Sequence, residues 1–462
     1  MVFSMKNVLK ILSLLAVTTM STACESKVPT LISMDVSDAC LLINCNNCTG
    51  ATEKGANGDS LNTEGLKSGD FHLYKTNENG VTSRVHCKTK RADDDKYYTS
   101  ESFFAEFEDI SDDYFYADLG RWSGKNKYFI NKKTGNAIKL ADDYSTNDFK
   151  WDYSTSTMQY FPQDNDGNIY GCVKSRSTKC SVVAKFTITE KLVKGETIAT
   201  VDNADPSIFA VDKDGNVAFS KLSGSYFYVA AGKEIKEQDK NNKTFWTGYD
   251  GNIYTISNGE IKKITYDKDK DEVVTETIKT YDGLKGKTIA YDRFLYLDAL
   301  KQVYTYTSDA DRNVTIYPLC GENMPGEPVI IAGDDLRMIK DFDGEEIPLP
   351  QYELSLDCDD DSIYATIKQE QFILSRIDPR DNMKITQTTY DVQYNDGVRM
   401  LSNKKMAIVY WGSNPINTPG DGNAYMSVGV YDINAGTLSK QDTFITGNAC
   451  RSNIVNLKSY KN

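Results

Sequence analysis

Along most of the chain, apolar and aromatic residues fall in short runs bounded by clusters of Asp, Gly and Asn. Helix-period stretches are missing beyond the first twenty residues. The clearest runs come in pairs: MQYFPQ then NIYGCV, SIFAV then NVAFS, TFWTGY then NIYTIS. Between the members of each pair stands Asp-Gly-Asn, at 166–168, 214–216 and 250–252. Asp-Gly and Gly-Asn supply the positive-φ positions of a tight turn, and the flanking residues are good strand formers. Further strand-like runs follow each pair: SVVAKFTI, SYFYVAA and GEIKKITYD. A unit of three or four antiparallel strands returning after 48 and then 36 residues has the period of a β-propeller blade.

Weaker copies extend the series. YFINKKTGNAIKL (128–140) is a hairpin with Thr-Gly-Asn at its turn, and RFLYLDALKQVYTYT, DSIYATI with QFILSRID, and KKMAIVYW with MSVGVYDINAGTLS follow. The expected architecture is all-β, a β-propeller of seven blades, with six or eight left open. Strand signals become continuous near Tyr97, so the propeller is expected over 97–462. The Gly-rich segment 49–70 has almost no bulky apolar side chain and reads as a tether. The expected organisation is therefore a signal segment over 1–23, a flexible Cys-containing arm over 24–96 and the propeller.

Lys6 and Lys10 precede the apolar run Ile11–Val17, which is too short to span a membrane, and Ser21, Thr22 and Ala23 lead to Cys24. Met5 is an alternative start, because MKNVLKILSLL is already a full signal opening. The segment resembles the lipobox of bacterial lipoproteins, in which such a Cys is acylated; Thr22 and Ala23 fit it, whereas Ser21 stands where an aliphatic residue is usual. Ordinary signal cleavage is the alternative. With the repeats, the chain resembles the β-propeller lipoproteins of Gram-negative bacteria as a broad class. That resemblance implies a membrane-tethered protein of the cell envelope, at the outer membrane and facing the periplasm or the surface. No later run approaches the roughly 20 apolar residues of a membrane helix. Net charge is −13, which argues against nucleic acid as a partner.

Candidate chemistry is sparse. Asp164-Asn165-Asp166-Gly167-Asn168 opens like a calcium loop, but Ser175 stands where the twelfth-position Glu belongs, and hairpin turns account for the residues without a metal. Cys40, Cys45, Cys48 and Cys87 match a plant-type iron–sulfur spacing, yet lack the small residues that wrap a cluster, and a zinc site with His86 is weak. Disulfides are the expectation outside the cytoplasm, with Cys172 and Cys180 opposed across one hairpin, and Cys320 with Cys358 or Cys450 as further options. No cofactor and no metal are expected. The two histidines, His72 and His86, precede the repeats, so a Ser-His-Asp triad within them is excluded. The acids Asp357, Asp359, Asp360 and Asp361 around Cys358 read as a solvated turn, with cation binding the lesser option. The stretch 411–425 is long for a hairpin and bracketed by aromatics; Trp411, Asn414, Asn417, Asp421 and Tyr425 are its candidate binding residues.

These features point to a non-enzymatic binding or scaffold module that uses a propeller face for a protein or glycan partner. The alternative is a propeller enzyme, a lyase or glycoside hydrolase acting through carboxylates or Tyr. An electron carrier rests on the cysteine spacing alone.

Overall fold

A computed structural model describes residues 30–46, 52–53, 71–90, 97–100, 106–141 and 149–456, apart from internal gaps that include 119–126, 152–162 and 413–423. Eight blade sheets, each built on four antiparallel strands, make up a β-propeller. Seven follow one another along the chain, spanning 106–139, 149–202, 208–238, 244–280, 294–331, 354–390 and 397–447. In each, strands a to d run outward from the axis in sequence order. Neighbouring a strands lie side by side: Thr247 Oγ1 donates to Val211 O at 2.8 Å across two blades.

The remaining blade, here blade 1, is assembled from both ends of the described chain. Its innermost strand is Arg451–Asn456, paired residue for residue with Leu41–Asn46, from Leu41↔Asn456 to Asn46↔Arg451. Phe71–Thr76 and Thr82–Arg84 complete it outward. Between the b and c strands of this blade, Thr52–Glu53 crosses over to pair with Asp442–Gly447 at the rim of blade 8. The closing joint is therefore fastened twice, once at the axis and once at the rim.

Two expectations change accordingly. The propeller has eight blades, not seven, because a count confined to residues beyond 97 sees only the blades whose four strands are contiguous. The arm expected over 24–96 also yields to blade strands: Leu41, Leu42 and Ile43 are completely buried, as are Leu73 and Tyr74. The anticipated start of the body at Tyr97 thus lies after blade 1. Of the Gly-rich stretch 49–70, only Thr52–Glu53 is among the described residues, and 1–29 lies outside them. A three-stranded flap, Thr30–Met34, Cys87–Lys90 and Tyr97–Ser100, lies against the outer strand of blade 2. There Ser33 bridges to Asn136, and Met34 N donates to Gly135 O at 2.9 Å.

The core is distributed between blades. One cluster joins Ile110, Tyr116 and Phe129 of blade 2 to Ile169, Val182 and Phe186 of blade 3. Equivalent clusters lie between blades 3 and 4, 4 and 5, 5 and 6, 6 and 7, and 7 and 8. Each sheet thus buries both faces, which explains why strands such as Gln302–Ser308 are almost entirely buried instead of alternating. Each fully buried Ile, Val or Phe contributes roughly 1.5–3 kcal/mol, so a blade depends on both neighbours.

Deleting residues 451–462 should expose the inner edge of Leu41–Asn46. The truncated protein is expected to lose cooperative thermal unfolding and to aggregate, as read by calorimetry and size-exclusion chromatography. A sharp wild-type transition after truncation would show that this strand does not close the ring.

Candidate functional site

Because all a strands run in one direction, every a–b turn falls on the same face of the propeller. The three Asp-Gly-Asn motifs are a–b turns of blades 3, 4 and 5. Their chemistry begins with the backbone. Gly167, Gly215 and Gly251 sit at φ +78, +78 and +71, where a side chain is strained. In blade 3, Asp164 Oδ1 accepts from the N–H groups of Asp166 (3.0 Å) and Asn168 (2.9 Å). Its Oδ2 accepts from Asn168 Nδ2 and the Tyr170 hydroxyl, both at 2.9 Å. Asp212 repeats this in blade 4, accepting from Asp214 N, Asn216 N and Asn216 Nδ2. The Asn then reaches onward: Asn168 Oδ1 accepts from Thr187 Oγ1 at 2.8 Å, and Asn216 Oδ1 from Ala231 N at 2.9 Å. Asp, Gly and Asn are thus a single device that shapes one turn and binds it to the next hairpin.

In blade 5, Gly248 replaces the leading Asp, and Asp250 assumes its role. It accepts from Asn252, the Tyr254 hydroxyl (2.9 Å) and Lys263 Nζ (2.9 Å). Burial works against its ionised form, but these donors outweigh it, Lys263 foremost, and its carboxyl lies below the ordinary value. Asp212 meets no such cation among the described residues, and burial raises it.

The turns also bind one another around the face. Tyr170 of blade 3 fits against Gly215 of blade 4, where a Cβ would lie 2.8 Å from its hydroxyl. Lys213 N donates to Gly251 O at 2.8 Å, and the Tyr249 hydroxyl donates to Asp298 Oδ1 at 2.5 Å. Ala299 N donates to Asp360 O at 2.8 Å. Blades 7 and 8 meet through charge: Lys404 Nζ donates to Asp359 Oδ2 at 2.7 Å and also to Asp361.

Asp359, Asp360 and Asp361 bring carboxylate oxygens within 4.8 Å of one another, the grouping among the described residues that suits a cation. The Lys404 ammonium answers it from inside the protein, and Arg380 Nη1 lies 3.1 Å from Asp361 Oδ2. The Asp359 side chain is 2% exposed and that of Asp360 47%, so the turn expected to be solvated is an ion cluster buried at Asp359 and open to solvent at Asp360. Burial opposes ionisation of Asp361, yet the hydrogen bonds from Lys404 and Ser362 and the charge of Arg380 hold it at about 2. Lys404 is raised despite its own burial by Asp359 and Asp361. Tyr170, Tyr249, Tyr254 and Tyr364 are all pushed up, first by burial and then by the carboxylates they face, which keeps them neutral donors.

The four cysteines whose side chains are described, Cys40, Cys87, Cys320 and Cys358, are buried core residues. Cys40 Sγ donates to Thr76 O at 3.1 Å, Cys358 Sγ donates to Tyr296 O at 3.2 Å, and Trp246 Nε1 donates to Cys320 Sγ at 3.4 Å. Burial pushes the Cys87 and Cys320 thiols up to about 12. Cys320 and Cys358 thus bond to Trp246 and Tyr296 and are not joined to one another, while Cys450 lies outside the described residues. The geometry expected for Cys172 and Cys180 also fails. Their strands do form a hairpin, but Cys172 pairs with Val183. Cys180 lies three positions further along the strand from that partner, roughly 10 Å along the backbone. A disulfide needs Cα atoms within about 7 Å.

Of the expected binding loop, Trp411 and Tyr425 stand on adjacent strands of blade 8, Trp411 opposite Met426 and Tyr425 opposite Gly412. Asn414, Asn417 and Asp421 lie outside the described residues, as does Cys24. Sequence reading missed Lys404, which carries no turn signature, and the Tyr two residues after the Asn of the turn. The second was visible as Asn-Ile-Tyr at 168–170 and 252–254.

No family model matches the chain, and no curated protein matches it. Solved structures with a similar arrangement include that of streptogramin B lyase, at 11% identity, with 73% of this chain and 93% of that one covered and a TM-score of 0.34. A protein from Lactobacillus plantarum covers 76% of this chain and 100% of its own at 11% identity and a TM-score of 0.38. YCF48 from Cyanidioschyzon merolae covers 75% and 96%, at 10% and 0.34. Likeness at this level carries no activity across.

Replacing Lys404→Met leaves the buried Asp359 carboxylate with its neutral donors, Asp361 N, Ser362 N and the Tyr364 hydroxyl, but without its cation, and should destabilise the protein by about 3 kcal/mol in urea unfolding. The folded Asp361 lies below its unfolded value of 3.8, so its contribution is complete above about pH 4 and lost as pH falls towards 2. The acid limb of the stability curve should flatten in Asp361→Asn; an unchanged limb would refute the assignment. Thiol alkylation without reductant should leave Cys87 and Cys320 untouched in the native protein and label both in denaturant. Native labelling of either would contradict the burial described here.

Proposed function

We propose that the protein is a non-enzymatic binding or scaffold module of the bacterial cell envelope, presenting its aspartate-turn face to a protein or glycan. It is tethered at the outer membrane through an acyl chain on Cys24. The supporting observation is how fully the reactive-looking groups of this face are engaged by the protein itself. Asp164, Asp212, Asp250 and Asp359 spend their oxygens on backbone N–H, Asn, Tyr and Lys donors. The tyrosines of the turns are held neutral, and the described thiols are buried. Such groups shape a rigid surface and are poorly placed to exchange protons with a substrate. Exposed between them are Asp166, Lys213 and Asp214, polar side chains on a fixed ring and available to a partner.

The test pairs a glycan array with crosslinking of the anchored protein in its own cells. Asp166→Lys combined with Asp214→Lys inverts exposed charge without touching the turn hydrogen bonds, so folding should be unchanged. The bound glycan or crosslinked protein should be lost. A partner retained at wild-type level by this variant would remove the face from consideration.

A further inference from the structure

The rim of this propeller takes additional strands. Thr52–Glu53 pairs antiparallel with Ile445 and Thr446 on the outer strand of blade 8, and Ser33 of Thr30–Met34 bridges to Asn136 beside that of blade 2. An outer strand turns one row of backbone N–H and C=O groups away from its blade, and a further strand satisfies them. The outer strand of blade 5, Glu272–Thr280, has no such cover among the described residues. Its ladder with Glu260–Asp267 is regular over six pairs, from Asp267↔Glu272 to Lys262↔Thr277, before the register slips at Ile278. Val193–Asp202 of blade 3 is also long, but there Ala141 N already donates to Val193 O at 2.9 Å.

The side chains of the blade 5 edge do not suit a strand that faces water alone. Five large apolar side chains are exposed among the described residues, and two of them, Val274 at 38% and Ile278 at 47%, stand on this strand. Between them, Glu276 is paired with Lys263 in the ladder, yet Lys263 Nζ turns to Asp250 at 2.9 Å. Glu276 is thus left without a cation among the described residues. Glu272, on the same face of the strand as Val274 and Glu276, meets Lys270 at 3.8 Å, with both side chains more than half exposed.

We propose that this edge binds an extended segment of a partner protein, which adds to blade 5 as a fifth, antiparallel strand. The segment sets an apolar residue opposite Val274 and basic residues opposite Glu272 and Glu276. Its pattern is therefore basic, any, apolar, any, basic, because alternate residues of a strand share a face. A second copy of this chain does not fit. The two-fold antiparallel pairings that use most of the regular run are centred on Val274 or on Thr275. The first opposes Glu272 to Glu276, and the second sets Val274 against Glu276. The edge lies on the rim, apart from the aspartate-turn face, and does not depend on what that face binds.

The probe is a fluorescein-labelled peptide, TKTVTKT, whose first lysine falls opposite Glu276 and whose second falls opposite Glu272. Fluorescence anisotropy reads its binding to the full chain, and the wild-type protein should bind it saturably. Glu276→Lys exchanges an exposed side chain, so its thermal transition should match the wild type while its binding weakens several-fold. Changing the first lysine of the peptide to glutamate should restore binding to that variant and weaken binding to the wild type. Glu272→Lys, with the second lysine exchanged, repeats the test at an independent position. No saturable binding by the wild type, or binding that ignores these exchanges, would overturn the proposal. A wild-type dimer in analytical ultracentrifugation that Val274→Arg dissolves would also overturn it, by giving the edge to a second copy.

Discussion

A propeller is stable only as a closed ring, because each blade buries both of its faces and so needs a neighbour on either side. Here closure depends on one antiparallel pairing between segments about 400 residues apart, Arg451–Asn456 against Leu41–Asn46. Among the described strand pairings it closes the longest loop and so carries the largest loop-closure cost. The Thr52–Glu53 strand on blade 8 adds a second fastening at the rim. Fixing the joint at both radii resists the splaying by which an open ring would expose its apolar blade faces.

The aspartate turns serve the same constraint at shorter range. Within a blade, an Asp carboxylate orders the turn and takes the hydroxyl of a Tyr on the following strand. Between blades, backbone bonds, a Tyr249–Asp298 contact and the Lys404 ion cluster pass from turn to turn across blades 4 to 8. A repeated motif of this kind invites a reading as a set of metal or catalytic sites. Its oxygens are instead engaged in holding the wheel together, and what remains for partners is the exposed surface between them. The turns joining a to b are tight and, in blades 2 to 4, acidic.

Much of this was legible in the sequence. Asp-Gly-Asn with flanking apolar runs fixes hairpins locally, since turn conformation depends on a few neighbouring residues, and its return every few dozen residues identifies blades. Seven of the eight were visible in this way. The eighth was not, because its strands are paired by contacts that no local window contains, and the Gly-rich stretch inside it resembles a tether. The hairpin of Cys172 and Cys180 was legible but its register was not, as a shift of three residues changes no local preference. Lys404 was likewise hidden: a lysine in a turn looks solvated until the neighbouring blade brings three aspartates around it. Local chemistry wrote the turns and strands, whereas closure, register and buried charge were decided where distant segments meet.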